Sequence, residues 1–249
     1  MAGFDIASGF VRLARHVQNV GDLVEAISAT CASMHIQYFA LSHHVDFRRE
    51  GSSAIRIHNY PPSWERWFDD HELGRSDPIH RASHLANTGF VWAKLPALMR
   101  LTPEDQLVLD HARRAGIGEG YTVPANVPGE ILGSRSFAVE SGRSFPDELQ
   151  LACEVIGAFA FEAARRLTQS RATSFNQVPI LTDRQRDCVL WAARGKTDWE
   201  ISVILGISHE TVIQHLKHAR ERYGVQRRAM LAVRALFDGV ISFSDILKR

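Results

Sequence analysis

Three punctuated helices fall within about forty-five residues near the end of the chain, and they restrict the fold more than any other feature. Thr182 with Gln185, and Thr197 with Glu200, are capping boxes, in which each side chain reaches the other's backbone N–H. Ser208 is an N-cap before a third apolar-periodic run, with Glu210 in its first turn. Gly195, Gly206 and Gly224 stand where helices need a left-handed residue to stop. This punctuation predicts helices over about 182–194, 198–205 and 209–223. Gly206-Ile207-Ser208 joins the last two as a tight turn, suited to a helix-turn-helix.

On a helical wheel, Val212, Leu216, Ala219 and Tyr223 make a narrow core face. Glu210, Gln214, Lys217, His218 and Glu221 point away, with Thr211, Ile213, Arg220 and Arg222 on the flanks. Taken alone, this describes any solvated amphipathic helix. Preceded by two capped helices and this turn, it predicts a helix that enters the major groove of DNA. Gln214 and Lys217 are suited to base edges and Ile213 to a thymine methyl. Thr211, Arg220, Arg222, Arg227 and Arg228 are suited to phosphates.

The segment from about 180 to 242 resembles the DNA-binding domain of LuxR-type transcription regulators. The resemblance rests on Leu181-Thr182-x-Arg184, Trp191-x-Ala193-x-Gly195-Lys196-Thr197, Glu200-Ile201-Ser202, Ile207-Ser208-x-x-Thr211-Val212-x-x-His215 and Gly224-Val225. It implies that His215 lies among the DNA-facing side chains, which His218 joins by its place on the wheel. Gln185 and Val189 replace the family's usual Glu and Leu, and both keep their local role in cap and core. Gly195-Lys196-Thr197 is not the end of a phosphate-binding P-loop, because Leu190 stands where that motif needs Gly.

Two domains are expected from 249 residues. Residues 176–249 carry 12 Lys and Arg against 8 Asp and Glu, whereas residues 1–175 carry 17 against 20. Only the C-terminal part has the sign that phosphates attract. Cys31, Cys153 and Cys188 form neither a disulfide framework nor a metal signature. With no signal-peptide pattern and no apolar run near twenty residues, the chain reads as cytoplasmic, with no membrane partner.

Upstream, residues 4–17 and 22–34 read as amphipathic helices, and 36–46 and 54–60 as strands. Pro61 opens a helix containing Trp64, Trp67 and Phe68. Asp77-Pro78 starts a short one, and Phe90-Val91-Trp92 is extended. A helix over about 102–114, strands over 120–127 and 131–140 about the turn Pro128-Gly129, and a long helix over 146–169 follow. The fold class is therefore α+β. An α/β/α-sandwich ligand-binding domain around an antiparallel sheet is followed by an all-α four-helix helix-turn-helix domain. The domains are 1–170 and 180–249, joined by a polar, Pro-terminated linker over 171–179.

Ser134, Ser136 and Ala138 are small and share one strand face, with Thr122 small on the neighbouring strand. Such a face leaves room for a pocket with hydroxyls in its wall, or else for a closely packed helix. The set Asn59-Tyr60-Pro61-x-x-Trp64, Asp77-Pro78, Trp92 and Gly120 resembles the acyl-homoserine-lactone-binding domain of LuxR-type quorum-sensing receptors. The resemblance implies that Trp64 donates its indole N–H to a lactone carbonyl and that Asp77 accepts the ligand amide N–H. Tyr60, Thr122 and Ser136 would bond the amide carbonyl region, Trp92 would wall the headgroup, and Gly120 would allow close packing. Phe68 replaces a usual Tyr, which keeps the aromatic wall and removes a hydroxyl.

His80 and His84, one turn apart, lack a third ligand with metal-like spacing. No Gly-x-Ser-x-Gly occurs, so nothing points to a hydrolase. In the long helix, Leu149, Cys153, Ile156, Ala160, Ala163 and Leu167 alternate at spacings of four and three. That is an a/d seam, read either as a homodimer contact or as the buried face of a helix within its own domain.

The expected function is a signal-dependent transcription regulator, not an enzyme. It binds an N-acyl-homoserine lactone autoinducer, needs no cofactor, and meets double-stranded operator DNA as a homodimer. The alternative is a LuxR-type regulator that acts without ligand or on a non-lactone signal.

Overall fold

A computed structural model describes residues 2–47, 54–127, 130–169 and 179–247. Most of the expected linker, the polar segment 48–53 and the turn at Pro128-Gly129 lie outside the described residues. The chain forms two compact units, Met1–Thr173 and Ser174–Arg249.

The first unit begins with helices α1 (Ala2–Ala14) and α2 (Val20–Ser33), then strands β1 (Tyr38–His43) and β2 (Arg56–His58). Helices α3 (Pro62–Asp70) and α4 (Pro78–Ser83), strand β3 (Phe90–Val91) and a 3-10 turn at Trp92–Lys94 come next. Then follow α5 (Leu95–Leu98), α6 (Pro103–Arg114), β4 (Ile117–Ala125), β5 (Gly133–Glu140) and, after another 3-10 turn, α7 (Gln150–Gln169). All strand pairs are antiparallel, in the order β2-β1-β5-β4-β3.

Strand alternation divides this sheet into two unlike faces. Phe39, Leu41, Tyr121, Val123, Phe137 and Val139 join the main core with α1, α2 and α7. Each fully buried large side chain there contributes roughly 1.5–3 kcal/mol. The opposite face carries Ala40, Ser42, Ser134, Ser136, Ala138 and Thr122. The register sets Ala40 beside Ser136, Ser42 beside Ser134 and Thr122 beside Ser136. Its cover is α3, α4 and α6, which contribute Trp64, Ile79, Val108 and Ala112 to two smaller clusters, with Leu73 from the turn between α3 and α4.

The α7 stripe corrects one expectation. Cys153, Ile156, Ala160 and Ala163 are buried in the main core, and Leu149 and Leu167 pack against it. A stripe at mixed spacings of three and four suits a helix on a sheet as well as a helix on a helix. Here the first packing consumes Cys153, Ile156, Ala160 and Ala163, so these four are not a surface open to a second copy, while Leu149 and Leu167 are half-buried. Leu151, off the stripe, is 73% exposed.

The second unit is helical: α8 (Asp183–Ala193), α9 (Asp198–Leu205), α10 (His209–Tyr223), α11 (Arg228–Phe237) and a five-residue α12 (Phe243–Leu247). Both capping boxes form, and Ser208 accepts from the Thr211 N–H at 3.0 Å. Gly206 at φ 64° and Gly224 at φ 61° close α9 and α10 in the left-handed region. Val212, Leu216, Ala219 and Tyr223 are buried against Cys188, Val189, Ile201 and Leu231.

Candidate functional site

Six of the seven side chains singled out for ligand contact line one cavity between the small-residue sheet face and its helical cover. They are Tyr60, Trp64, Phe68, Asp77, Trp92 and Ser136. The cavity holds about 510 Å³ of space free of protein atoms, part of it open to solvent. Its apolar wall comes from Val108, Leu109 and Ala112 of α6 and from Ile79 and Ile117. In the sequence, Val108 and Ala112 are four apart, the spacing of the inner face of any amphipathic helix. Ala40 and Ser42 depend on strand register, which the sequence does not display.

Local chemistry fixes the polar groups. Asp77 caps α4: its Oδ1 accepts from the Ile79 N–H at 2.7 Å and the His80 N–H at 3.0 Å. Oδ2 makes no such bond, so a buried carboxylate keeps an acceptor at the cavity. Trp64 is 6% exposed, and its indole N–H has no hydrogen-bond partner among the described residues. Burial, with the nearby Asp77 carboxylate, pushes the Tyr60 phenol up, while the Ser136 hydroxyl pulls it down. Tyr60 therefore stays protonated and can donate.

Thr122 departs from its expected place. It is fully buried and off the cavity wall. Its hydroxyl accepts from Trp92 Nε1 at 2.8 Å and lies 2.8 Å from Ser136 Oγ. Thr122 thus orients two wall residues from behind. Gly120 has the packing role expected of it, since a Cβ there would sit 2.5 Å from Trp92 Cε2.

His80 and His84 belong to a cluster whose third member, His44, the sequence did not reveal. His44 Nδ1 lies 2.7 Å from His84 Nε2, and His44 Nε2 lies 2.9 Å from Ser134 Oγ. The His44 and His80 rings stack at 3.9 Å. Among the described residues, no group of three or more His, Cys, Asp or Glu side chains is arranged to hold a metal ion.

In the second unit, Gln214, Lys217 and His218 are exposed on α10, with Thr211, Ile213, His215 and Arg220 half-buried beside them. On the same helix Lys217 lies 3.9 Å from Glu221, and Gln214 donates to Glu210 at 3.3 Å. Arg228 is also engaged within the fold. It pairs with Asp198 and donates to the Lys196 carbonyl, which ties α11 to the start of α9. Arg222 donates to the Ile180 carbonyl and Arg220 to that of Gln226. Arg227 is exposed at the start of α11.

Residues 19–167 match the family model of the autoinducer binding domain, and residues 179–235 match that of the bacterial regulatory proteins of the luxR family. The chain belongs to the LuxR family of quorum-sensing transcription regulators, with an autoinducer-binding domain and a helix-turn-helix domain. It is 27% identical over 226 residues to the transcriptional activator protein LuxR of Aliivibrio fischeri, covering 88% of each chain. It is 30% identical over 198 residues to the quorum sensing-dependent regulator RpaR of Rhodopseudomonas palustris, covering 78% of each. The crystal structure of Escherichia coli SdiA shares the fold, with a TM-score of 0.63, 24% identity, and coverage of 98% of this chain and 99% of that one. These relatives are transcription regulators, not enzymes. No helix among the described residues is long and apolar enough to cross a membrane.

Proposed function

We propose that the first unit binds an N-acyl-homoserine lactone in the cavity between its sheet and α3, α4 and α6, and that a homodimer then binds operator DNA through α10. One observation carries the ligand reading: Trp64 and Asp77 line the same largely apolar cavity, and among the described residues neither the Trp64 indole N–H nor Asp77 Oδ2 has a hydrogen-bond partner. An acyl lactone has one amide N–H and two carbonyls on an apolar body. Buried, each polar group needs a partner. Asp77 takes the amide N–H, Trp64 donates to the lactone carbonyl, and Tyr60 with Ser136 serves the amide carbonyl. Bound ligand stabilises the folded unit by mass action.

A dimer would set two copies of α10 in successive major grooves. Exposed Phe4 and Leu13 on α1 and Leu151 on α7 are apolar side chains available for the contact, in place of the buried α7 stripe. The test is a thermal-shift series with acyl-homoserine lactones of increasing chain length, beside light scattering and DNA binding with and without ligand. Stabilisation by at least one lactone, with a dimer on DNA, is the expected result. Folded protein that no lactone stabilises leaves a regulator with another signal, the reading favoured by Phe68 in place of tyrosine.

A further inference from the structure

His80 lines the main cavity and a second one that continues from it past Phe47, Arg56 and His58. Its Nδ1 lies 2.9 Å from the Gly74 carbonyl oxygen. A carbonyl only accepts, so Nδ1 carries the proton in that contact. In the neutral ring, Nε2 is then left as a lone-pair acceptor. It makes no hydrogen bond among the described residues, and the ring is held in place by the His44 stack. Ser42, on the floor beside it, already donates its hydroxyl proton to the His43 carbonyl at 2.9 Å. His80 Nε2 and Ser42 Oγ are therefore acceptors on this wall, while the Arg56 guanidinium in the second cavity is paired with Asp69 and Glu65.

We infer that the signal carries a hydroxyl group near the start of its acyl chain, as in a 3-hydroxyacyl-homoserine lactone, and that His80 is the residue that selects it. The inference rests on the lactone reading above. His80 follows Asp77 by one helical turn, roughly 5 Å along the axis. With the ligand amide on Asp77, the first carbons of the acyl chain pass His80. A hydroxyl there donates to Nε2. A 3-oxo group sets its carbonyl oxygen against the lone pair, and an unsubstituted chain leaves Nε2 without a partner as it loses water.

The test measures Kd at pH 8 for 3-hydroxyoctanoyl-, octanoyl- and 3-oxooctanoyl-homoserine lactone with the full chain. Wild type should bind the 3-hydroxy compound about tenfold or more tightly than either of the others, the worth of one buried hydrogen bond. His80→Val should bring the three within about threefold. His80→Gln, which restores a side-chain acceptor and guards against a folding defect in His80→Val, should recover part of the preference. Equal affinities in wild type, a preference for the 3-oxo compound, or a ranking unchanged in His80→Val overturns the inference and leaves the lactone reading standing. Folded protein that binds none of the three overturns both.

Discussion

Trp92 donates its indole N–H to Thr122 Oγ1 across 2.8 Å, and Thr122 has no exposed surface of its own. The hydroxyl thus fixes a cavity wall without touching the cavity. Thr122→Val keeps the shape and removes the acceptor, leaving a part-buried N–H unpaired. We expect a loss of about 1–3 kcal/mol in urea unfolding, together with weaker stabilisation by any ligand that rests on Trp92. Thr122→Ser should recover most of both. A Thr122→Val protein as stable as wild type would show that Trp92 finds another acceptor.

The two-faced sheet was legible in the sequence because strand alternation is a short-range pattern. Ser134, Ser136 and Ala138 against Arg135, Phe137 and Val139 announced it. The caps of the second unit were legible for the same reason: Thr182 and Gln185, or Ser208 and Thr211, are three residues apart. What stayed hidden depends on distant pairings. His44 meets His84 across forty residues, and Arg228 meets Asp198 across thirty. The stripe Cys153-Ile156-Ala160 was visible, but its spacing does not say whether a sheet or a second helix covers it.

The stripe's place in the core gives a direct prediction. Ile156 has no exposed surface and packs within the main core. Ile156→Ala should cost about 2–5 kcal/mol, the usual range for truncating a buried aliphatic side chain. Leu151→Ala should change stability of the isolated chain by less than about 0.5 kcal/mol, because Leu151 is 73% exposed. Urea unfolding at low protein concentration measures both. A loss for Ile156→Ala as small as that expected for Leu151→Ala would take the stripe out of the core.

Stability should fall in mildly acidic solution. Burial lowers the pKa of His44, aided by the charges of His80, His84 and His43 when these are protonated. Burial is also the leading cause for His43, His84 and His58, although Glu130 offsets it at His43 and Glu65 at His58. Below the unfolded value near 6.5, the unfolded chain binds protons that these folded imidazoles refuse. The folded state is therefore most stable above that pH and loses stability as pH falls toward the lowered folded values. Each fully excluded proton contributes up to about 1.4 kcal/mol per pH unit. Unfolding free energies between pH 8 and 5 should be flat above about 7 and decline below. His44→Asn should lower the slope by about one proton, a readout independent of its effect on absolute stability.

Arg227 and Arg228 are adjacent in sequence and should behave differently on DNA. Arg228 is held by Asp198 and the Lys196 carbonyl, so its charge is partly neutralised and its position serves the fold. Arg227 is exposed and free to meet a phosphate. A phosphate contact releases counterions, and its removal flattens the dependence of affinity on salt by about one unit. Arg227→Ala should therefore weaken binding similarly for all DNA sequences, lower the salt slope by about one for each copy bound, and leave urea stability unchanged. Arg228→Ala should lower the stability of the helical unit by up to roughly 1 kcal/mol, as expected for a half-exposed ion pair, with a smaller change in slope. Fluorescence anisotropy across a salt series, run beside urea unfolding, separates the two. If Arg228→Ala flattens the salt slope as much as Arg227→Ala does, the tie to Asp198 gives way when DNA binds.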